Sequence, residues 1–242
     1  MAPGESVPEG YQSIQDPISG DTLIFTSTNW EDELFRTAGF NNTHISVDGA
    51  GDKMGYYVSL AHTDQDGVAV GTDYNRTSLQ SNLNFDISDK LSVSSSVNYI
   101  VSEQHQPDEA PWFFGRTLRL APTVRLNFDD GSIGTGTSEK SQTPAHFIKN
   151  YLGETNREKL NLGGTLKYEI LDGLNFTGSA SYVKGKTTTE NFIKSNRFNS
   201  SRLAKFSSLE TTRKQFEATL GYDKSLNNHN FGLLLGASRI KD

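Results

Sequence analysis

The chain has no cysteine in 242 residues, which excludes a disulfide framework and any thiolate metal site. It has no run of about eighteen apolar residues, so it encodes no transmembrane helix. Apolar material is scarce at 34%, where soluble domains carry about 45–50%. Basic residues are also in deficit, 23 Lys+Arg against 29 Asp+Glu, for a net charge of −6. That balance argues against a nucleic-acid partner, which selects a basic stripe. The first residues, Met1-Ala2-Pro3-Gly4-Glu5-Ser6, have neither the basic nor the apolar region of a signal peptide.

What is plentiful is glycine, with 22 residues, together with Asn, Ser and Thr throughout. A soluble core built from this mixture would be thin. A transmembrane barrel wall needs only alternate residues to be apolar, because its other face meets a wet lumen. The composition also fits a β-sandwich or a secreted β-solenoid, so the decision falls to the pattern.

The pattern is alternation with period two, interrupted by turn signals. Leu174, Phe176, Gly178, Ala180 and Tyr182 occupy one face of a strand, and Asn175, Thr177, Ser179 and Ser181 the other. Leu79, Leu83, Phe85 and Ile87 alternate with Gln80, Asn82, Asn84 and Asp86. Leu160, Leu162, Leu166, Tyr168 and Ile170 form another such row, and Phe216, Ala218, Leu220 and Tyr222 another. Tyr99, Tyr168, Tyr182 and Tyr222 fall near strand ends, where a barrel carries interfacial aromatic girdles. Eight strands are expected, near 43–49, 54–63, 75–87, 90–103, 157–170, 173–188, 209–224 and 228–239.

Their connections alternate between short (Gly49–Lys53, Ser88–Asp89, Leu171–Gly173, around Ser225–Asn228) and long (Asp64–Tyr74, Glu103–Asn156, Thr189–Ser208). Outer-membrane barrels show this asymmetry, with short periplasmic turns and long outer loops. The fold class is therefore all-β: an antiparallel transmembrane β-barrel, incomplete at about eight strands, whose long outer loops carry short helices. The first link is short, so the first strand runs towards the periplasm and an earlier outward strand is expected upstream. Leu23-Ile24-Phe25 is too brief to be that strand. Residues 1–40 are accordingly expected to be an outer loop segment, and residues 41–242 a partial barrel. Within the first segment, Thr28-Asn29-Trp30-Glu31 reads as a capping box opening a helix that closes near Gly39.

The order of motifs resembles the SusC/RagA family of TonB-dependent outer-membrane transporters, of the type found in Bacteroidetes. The matching pieces begin with Thr28-Asn29-Trp30-Glu31-Asp32-Glu33-Leu34-Phe35-Arg36-Thr37 and the Ser46-Val47-Asp48-Gly49 strand end. Tyr56-Tyr57-Val58-Ser59-Leu60, Asp64-Gln65-Asp66-Gly67-Val68 and Asp73-Tyr74-Asn75-Arg76 follow in order. The resemblance implies an outer-membrane location and uptake of oligosaccharides or peptides. It implies contact with membrane lipid and a SusD-like surface lipoprotein as partner. TonB would engage only through a plug region, which along with the TonB box and first strand is not among these residues. A part of such a barrel is expected to misfold alone, since strand edges do not persist in lipid.

The candidate chemistry is binding and not catalysis. Asp64-Gln65-Asp66-Gly67 imitates part of a calcium loop but has neither its spacing nor its terminal Glu, and reads as a turn. The five histidines, His44, His62, His105, His146 and His229, are scattered and sit beside no nucleophile elbow. No enzyme activity, cofactor or metal is therefore expected. The Glu103–Asn156 loop is long enough to be functional. Its Trp112, Phe113, Phe114, Arg116 and Arg119 are the candidate substrate-binding residues, since aromatic rings stack on sugars and arginines grip carboxylates. The competing and favoured reading has Trp112, Phe113 and Phe114 packing a short helix against the inner barrel wall. Phe147 and Ile148 anchor a second helical piece, and Asp129-Asp130-Gly131 makes a turn. A small barrel or adhesin acting through its surface loops is the alternative to an importer.

Overall fold

The structure is a computed structural model and describes residues 6–107, 110–128, 130–227 and 229–242, with the side chains of 110–112 left out. Among these residues eight strands form one antiparallel sheet in strict sequence order. They are β3 (Phe40–Ala50), β4 (Met54–Asp66), β5 (Asp73–Ser88), β6 (Leu91–His105), β7 (Tyr151–Leu171), β8 (Leu174–Ile193), β9 (Leu203–Leu226) and β10 (His229–Lys241). A separate hairpin of β1 (Gln12–Gln15) and β2 (Thr22–Phe25) precedes them and stays outside the large sheet. Leu23-Ile24-Phe25 thus does form a strand, but a four-residue one that crosses nothing. The helices are α1 (Trp30–Leu34), α2 (Ala110–Thr117) and α3 (Pro144–Asn150). The sheet is open, with β3 and β10 as its edges, so these residues form a wall and not a closed barrel.

Register turns the one-strand alternation into a two-dimensional pattern. Leu60 pairs with Ile45 and with Leu79, which pairs with Tyr99, which pairs with Leu160. Further on, Leu91 pairs with Tyr168, which pairs with Phe176, then Leu220, then Leu235. The polar residues fall in step on the other face. Gln80, Asn82 and Asn84 lie opposite Asn98, Ser96 and Ser94. Directly opposed residues share a face, so one side of the sheet is continuously apolar and the other continuously polar.

The apolar side is not covered. Ile45 is 65% exposed, Leu233 71% and Leu235 69%, whereas large apolar residues of a soluble sheet would be packed. Monomeric soluble proteins do not expose apolar faces of this extent. The buried apolar side chains among the described residues, by contrast, lie at the long-loop end: Trp30, Leu34, Ala69, Phe113, Leu120, Phe147, Tyr151 and Ile193.

Every strand exists where alternation placed it, but most run further towards the long loops. β7 has 21 residues, β8 20 and β9 24. A tilted strand crosses the hydrocarbon in about 9–11 residues, so β9 carries more than twice the needed length. The extensions carry mostly polar residues on both faces, as in Gly185–Glu190, which pairs with Phe206–Thr211. Beyond the apolar band mostly polar residues occupy both faces, and alternation fades while backbone pairing continues. The long connections shrink accordingly, to 67–72, 106–150 and 194–202.

Ile87 and Ile170 lie at register shifts between Asp86 and Ser88 and between Glu169 and Leu171, each one residue from a tight turn. They occupy bulges, and the regular apolar rows end just before them. At the Asp172–Gly173 turn, Gly173 has φ +81°, and a Cβ there would stand 2.2 Å from the Asp223 carbonyl oxygen. Glycine is needed both for the backbone and for the approach of β9, whose Asp223 N–H donates to the Gly173 carbonyl at 2.8 Å.

Candidate functional site in the outer layer

At the long-loop end the three helices form a layer held to the wall by a small aromatic core. Counting in twos up β7 and β8 from the apolar rows puts Tyr151 and Ile193 on the opposite, polar face. Both are buried with Leu34, Phe113 and Phe147, and Val70 and Phe114 pack against the group. The rings of Phe113 and Phe147 are stacked at 3.7 Å and 7°, and those of Phe147 and Tyr151 at 4.3 Å and 8°. One column of three rings therefore joins α2, α3 and the start of β7.

α3 begins where Thr143 caps it, accepting from the His146 N–H, with Pro144 in the first turn. The Thr143 hydroxyl also donates to the Gly134 carbonyl, tying the helix start to the loop. Burying His146 and Gln142 requires partners. The His146 Nδ1 lies 2.7 Å from the Gln142 Oε1, and the Gln142 amide donates to the Glu139 carbonyl and the Tyr151 hydroxyl at 2.8 and 3.2 Å. Burial, and then the charge of Lys149, hold the His146 imidazole below its ordinary range.

α1 is shorter than its sequence suggests and is capped one residue later. Asn29, not Thr28, accepts from the Glu31 N–H, and the helix ends at Leu34 instead of near Gly39. The Asn29 amide also donates to Asp32 at 2.7 Å. Thr28 is engaged elsewhere: its N–H donates to the Pro122 carbonyl and its hydroxyl to that of Val124. The Trp30 indole donates to Ala121 at 3.1 Å. Beyond the helix, Arg36 and Val70 exchange backbone bonds with Val68 and Leu34. These contacts pull the chain out of helix and clamp it between loops 67–72 and 106–150.

The Asp64-Gln65-Asp66-Gly67 stretch continues β4 up to Asp66. Asp66 is taken by Arg36 at 3.1 Å, and the same guanidinium donates to the Gly67 and Thr72 carbonyls at 3.1 and 3.3 Å. Among the described residues one grouping could hold a metal: Glu103, His105 and Glu154. The His105 Nδ1 is 2.8 Å from Asp73, and its Nε2 is 3.2 Å from Glu103 and 3.7 Å from Glu154. Asp73, His105, Glu154 and Glu190 lie opposite one another across four strands. An open groove of about 610 Å³ runs beside this row, its floor made by Leu152, Phe192 and Phe206.

Of the candidate substrate residues, the ring of Phe113 is inside the core at 2% exposure, and that of Phe114 packs half-buried against it. Arg116 is half-buried in the last turn of α2, and Arg119 is exposed in the turn that follows. The Trp112 side chain lies outside the described residues. Phe147 anchors α3 as expected, with Ile148 half-buried beside Gly71. Gly131 has φ +79° in a turn where its N–H donates to Phe128, while Asp129 lies outside the described residues. Gln142, Thr143 and His146 carried no signal in the sequence, because small polar residues in a polar loop give no hint of burial.

No family model matches the chain. Curated proteins do. It is 26% identical over 227 residues, 89% of the chain, to TonB-dependent receptor P3 of Formosa agariphila. To TonB-dependent receptor P26 of the same organism it is 25% identical over 245 residues, 94% of the chain. To TonB-dependent receptor SusC of Bacteroides thetaiotaomicron it is 31% identical over 77 residues. Among solved structures it matches the RagAB peptide importer in its "closed-closed" and "open-open" states with TM-scores of 0.71 and 0.75 at 19% and 20% identity, covering 88% and 89% of the chain. The chain is similar to TonB-dependent receptors, SusC among them. It spans 23% and 24% of the length of the two Formosa receptors, and 8% of SusC. The RagAB likeness shows the fold: the eight-stranded sheet follows a stretch of a larger barrel wall.

Proposed function

We propose that this SusC/RagA-type segment serves in a TonB-dependent outer-membrane importer, supplying part of the barrel wall and part of its outer gate. The uncovered apolar face, continuous over eight strands, carries the proposal, because a wall of that kind is stable only against hydrocarbon. The polar face then lines the lumen, with Gln80, Asn82, Asn84, Ser92, Ser94 and Ser96 towards water or a plug. The mechanism is capture and gated passage, and no residue is assigned bond chemistry. The relatives are receptors and importers, which supports that assignment.

The aromatic column explains how the outer layer keeps its shape over the lumen. Phe113 holds α2 in place, which leaves Phe114, Arg116 and Arg119 as the side chains offered to cargo; Trp112 joins them by residue type alone. Arginine suits the carboxylates of peptides, and an aromatic face suits either sugars or peptide side chains. A SusD-like surface lipoprotein would close the assembly from outside, and TonB would act through a plug. Two measurements test this. The protein should fractionate with the outer membrane, and cells lacking it should lose uptake of either labelled oligopeptides or labelled oligosaccharides. Recovery from the soluble fraction, or uptake of both cargoes unchanged, overturns it.

A further inference from the structure

Where the apolar rows stop at their outer end, the two halves of the wall differ in charge. Counting in twos up the outward face, the rows give way to Thr77 on β5, Glu103 on β6 and Glu158 on β7. On β8, β9 and β10 they give way to Lys184, Lys214 and Arg239, with Lys186 and Lys241 one step beyond. Register packs these cations together. Lys214 lies between Tyr182 and Lys241, Phe216 lies opposite Arg239, and Lys186 lies opposite Glu210. The Lys214 ammonium stands 5.7 Å over the Tyr182 ring, at the top of the apolar band. Lys184 is 3.0 Å from Glu210, and Glu158 faces Lys186 from β7. Two carboxylates therefore offset five cations.

We infer that this patch binds the phosphorylated headgroup of an outer-leaflet lipid whose acyl chains lie on the apolar rows beneath it. The inference rests on the outer-membrane reading above. Lysines just above hydrocarbon extend along it and hold their ammonium groups at headgroup depth. Each such cation contributes about 1 kcal/mol towards an anionic surface. A rim that served solubility alone could carry carboxylates, as Glu103 and Glu158 do on β6 and β7. The concentration of cations on three neighbouring strands, above Tyr182 and Phe216, gives phosphate charge and acyl chain a continuous surface.

The test reconstitutes the intact membrane-inserted protein in phosphatidylcholine vesicles doped with diphosphoryl lipid A, and counts lipid A retained after detergent extraction by native mass spectrometry. The combined Lys184→Gln, Lys186→Gln and Lys214→Gln variant should retain it on the order of a hundredfold less. Lys159→Gln, on the inward face at the same height, should leave retention unchanged. Dephosphorylated lipid A should be held weakly by all three proteins. Equal retention by the triple variant, or an equal loss with the dephosphorylated lipid, overturns the inference. Full displacement by millimolar inorganic phosphate also overturns it, since the site would then hold free anion and not lipid. A protein that fails to insert at all defeats the importer reading along with it, and insertion without lipid retention defeats this inference alone.

Discussion

The ring of Phe147 lies almost parallel to that of Phe113, 3.7 Å away, and Tyr151 completes the column at 4.3 Å. Phe147 is the middle ring and is 1% exposed, so it alone contacts both of the others. Removing a buried phenyl ring costs about 3–5 kcal/mol. Phe147→Ala should therefore release α2 and α3 from the wall while leaving the strand ladder intact. Limited proteolysis of the protein in membranes should show new cleavage within 106–150, with the strand signal in circular dichroism unchanged. A protected loop in that variant would mean that the column does not hold the layer.

The same layer should loosen in acid. The His146 imidazole is depressed below its ordinary value of 6.5 by burial and by Lys149. The folded layer thus prefers the neutral ring, while the unfolded loop takes up a proton near pH 6.5. The stabilisation is fully present above that pH and is lost as pH falls towards the depressed folded value. The protection of the α3 amides against hydrogen exchange, taken relative to the intrinsic rate at each pH, should be high at neutral pH and fall as the pH drops below 6.5. His146→Gln, which keeps a partner for Gln142 without a titrating ring, should remove most of the pH dependence.

At the opposite end, Gly173→Ala should destabilise the wall. The residue holds φ +81°, and the Asp223 carbonyl occupies the space a methyl group needs. Left-handed strain for a non-glycine residue costs about 1–3 kcal/mol before any clash. The urea midpoint in vesicles should fall, and Gly55→Ala, with nothing within 4 Å of its Cβ position, should fall less. Equal shifts would show that the Asp172–Gly173 turn does not constrain β9.

The parts of this molecule visible in its sequence are those where the environment changes from one residue to the next. Leu174 to Tyr182 alternates because one face of the sheet is apolar and the other polar, and all eight strands were legible for that reason. The upper strands were not. Around Gly185–Glu190 both faces are mostly polar, so ladder residues there resemble loop. α1 shows a different limit: Thr28 and Asn29 are both good caps, and the choice fell to Asn29 because distant loop carbonyls at Pro122 and Val124 claim Thr28. The aromatic column was half legible. Phe113 and Phe147 announce burial, but nothing local tells that they meet across 34 positions, or that Gln142 and His146 are buried beside them.

The facing of the wall can be tested on a single strand, where neighbouring residues must answer differently. Leu220 pairs with Phe176 and Leu235 on the apolar side, and Thr219 pairs with Thr177 and Gly236 on the polar side. Both sit well within the span, at adjacent positions of β9, so depth and strand propensity are nearly matched. An arginine on the lipid face near the midplane costs about 2–4 kcal/mol, and one in the lumen has no such penalty. Leu220→Arg should therefore lower the unfolding midpoint in vesicles steeply and reduce the amount inserted, while Thr219→Arg should change both little. A soluble sheet packed on its apolar side would also suffer from Leu220→Arg, but its stability would not depend on the bilayer. Thinner-chain lipids should relieve the Leu220→Arg defect by bringing the guanidinium nearer to water, and relief is the outcome that only a lipid-facing position gives.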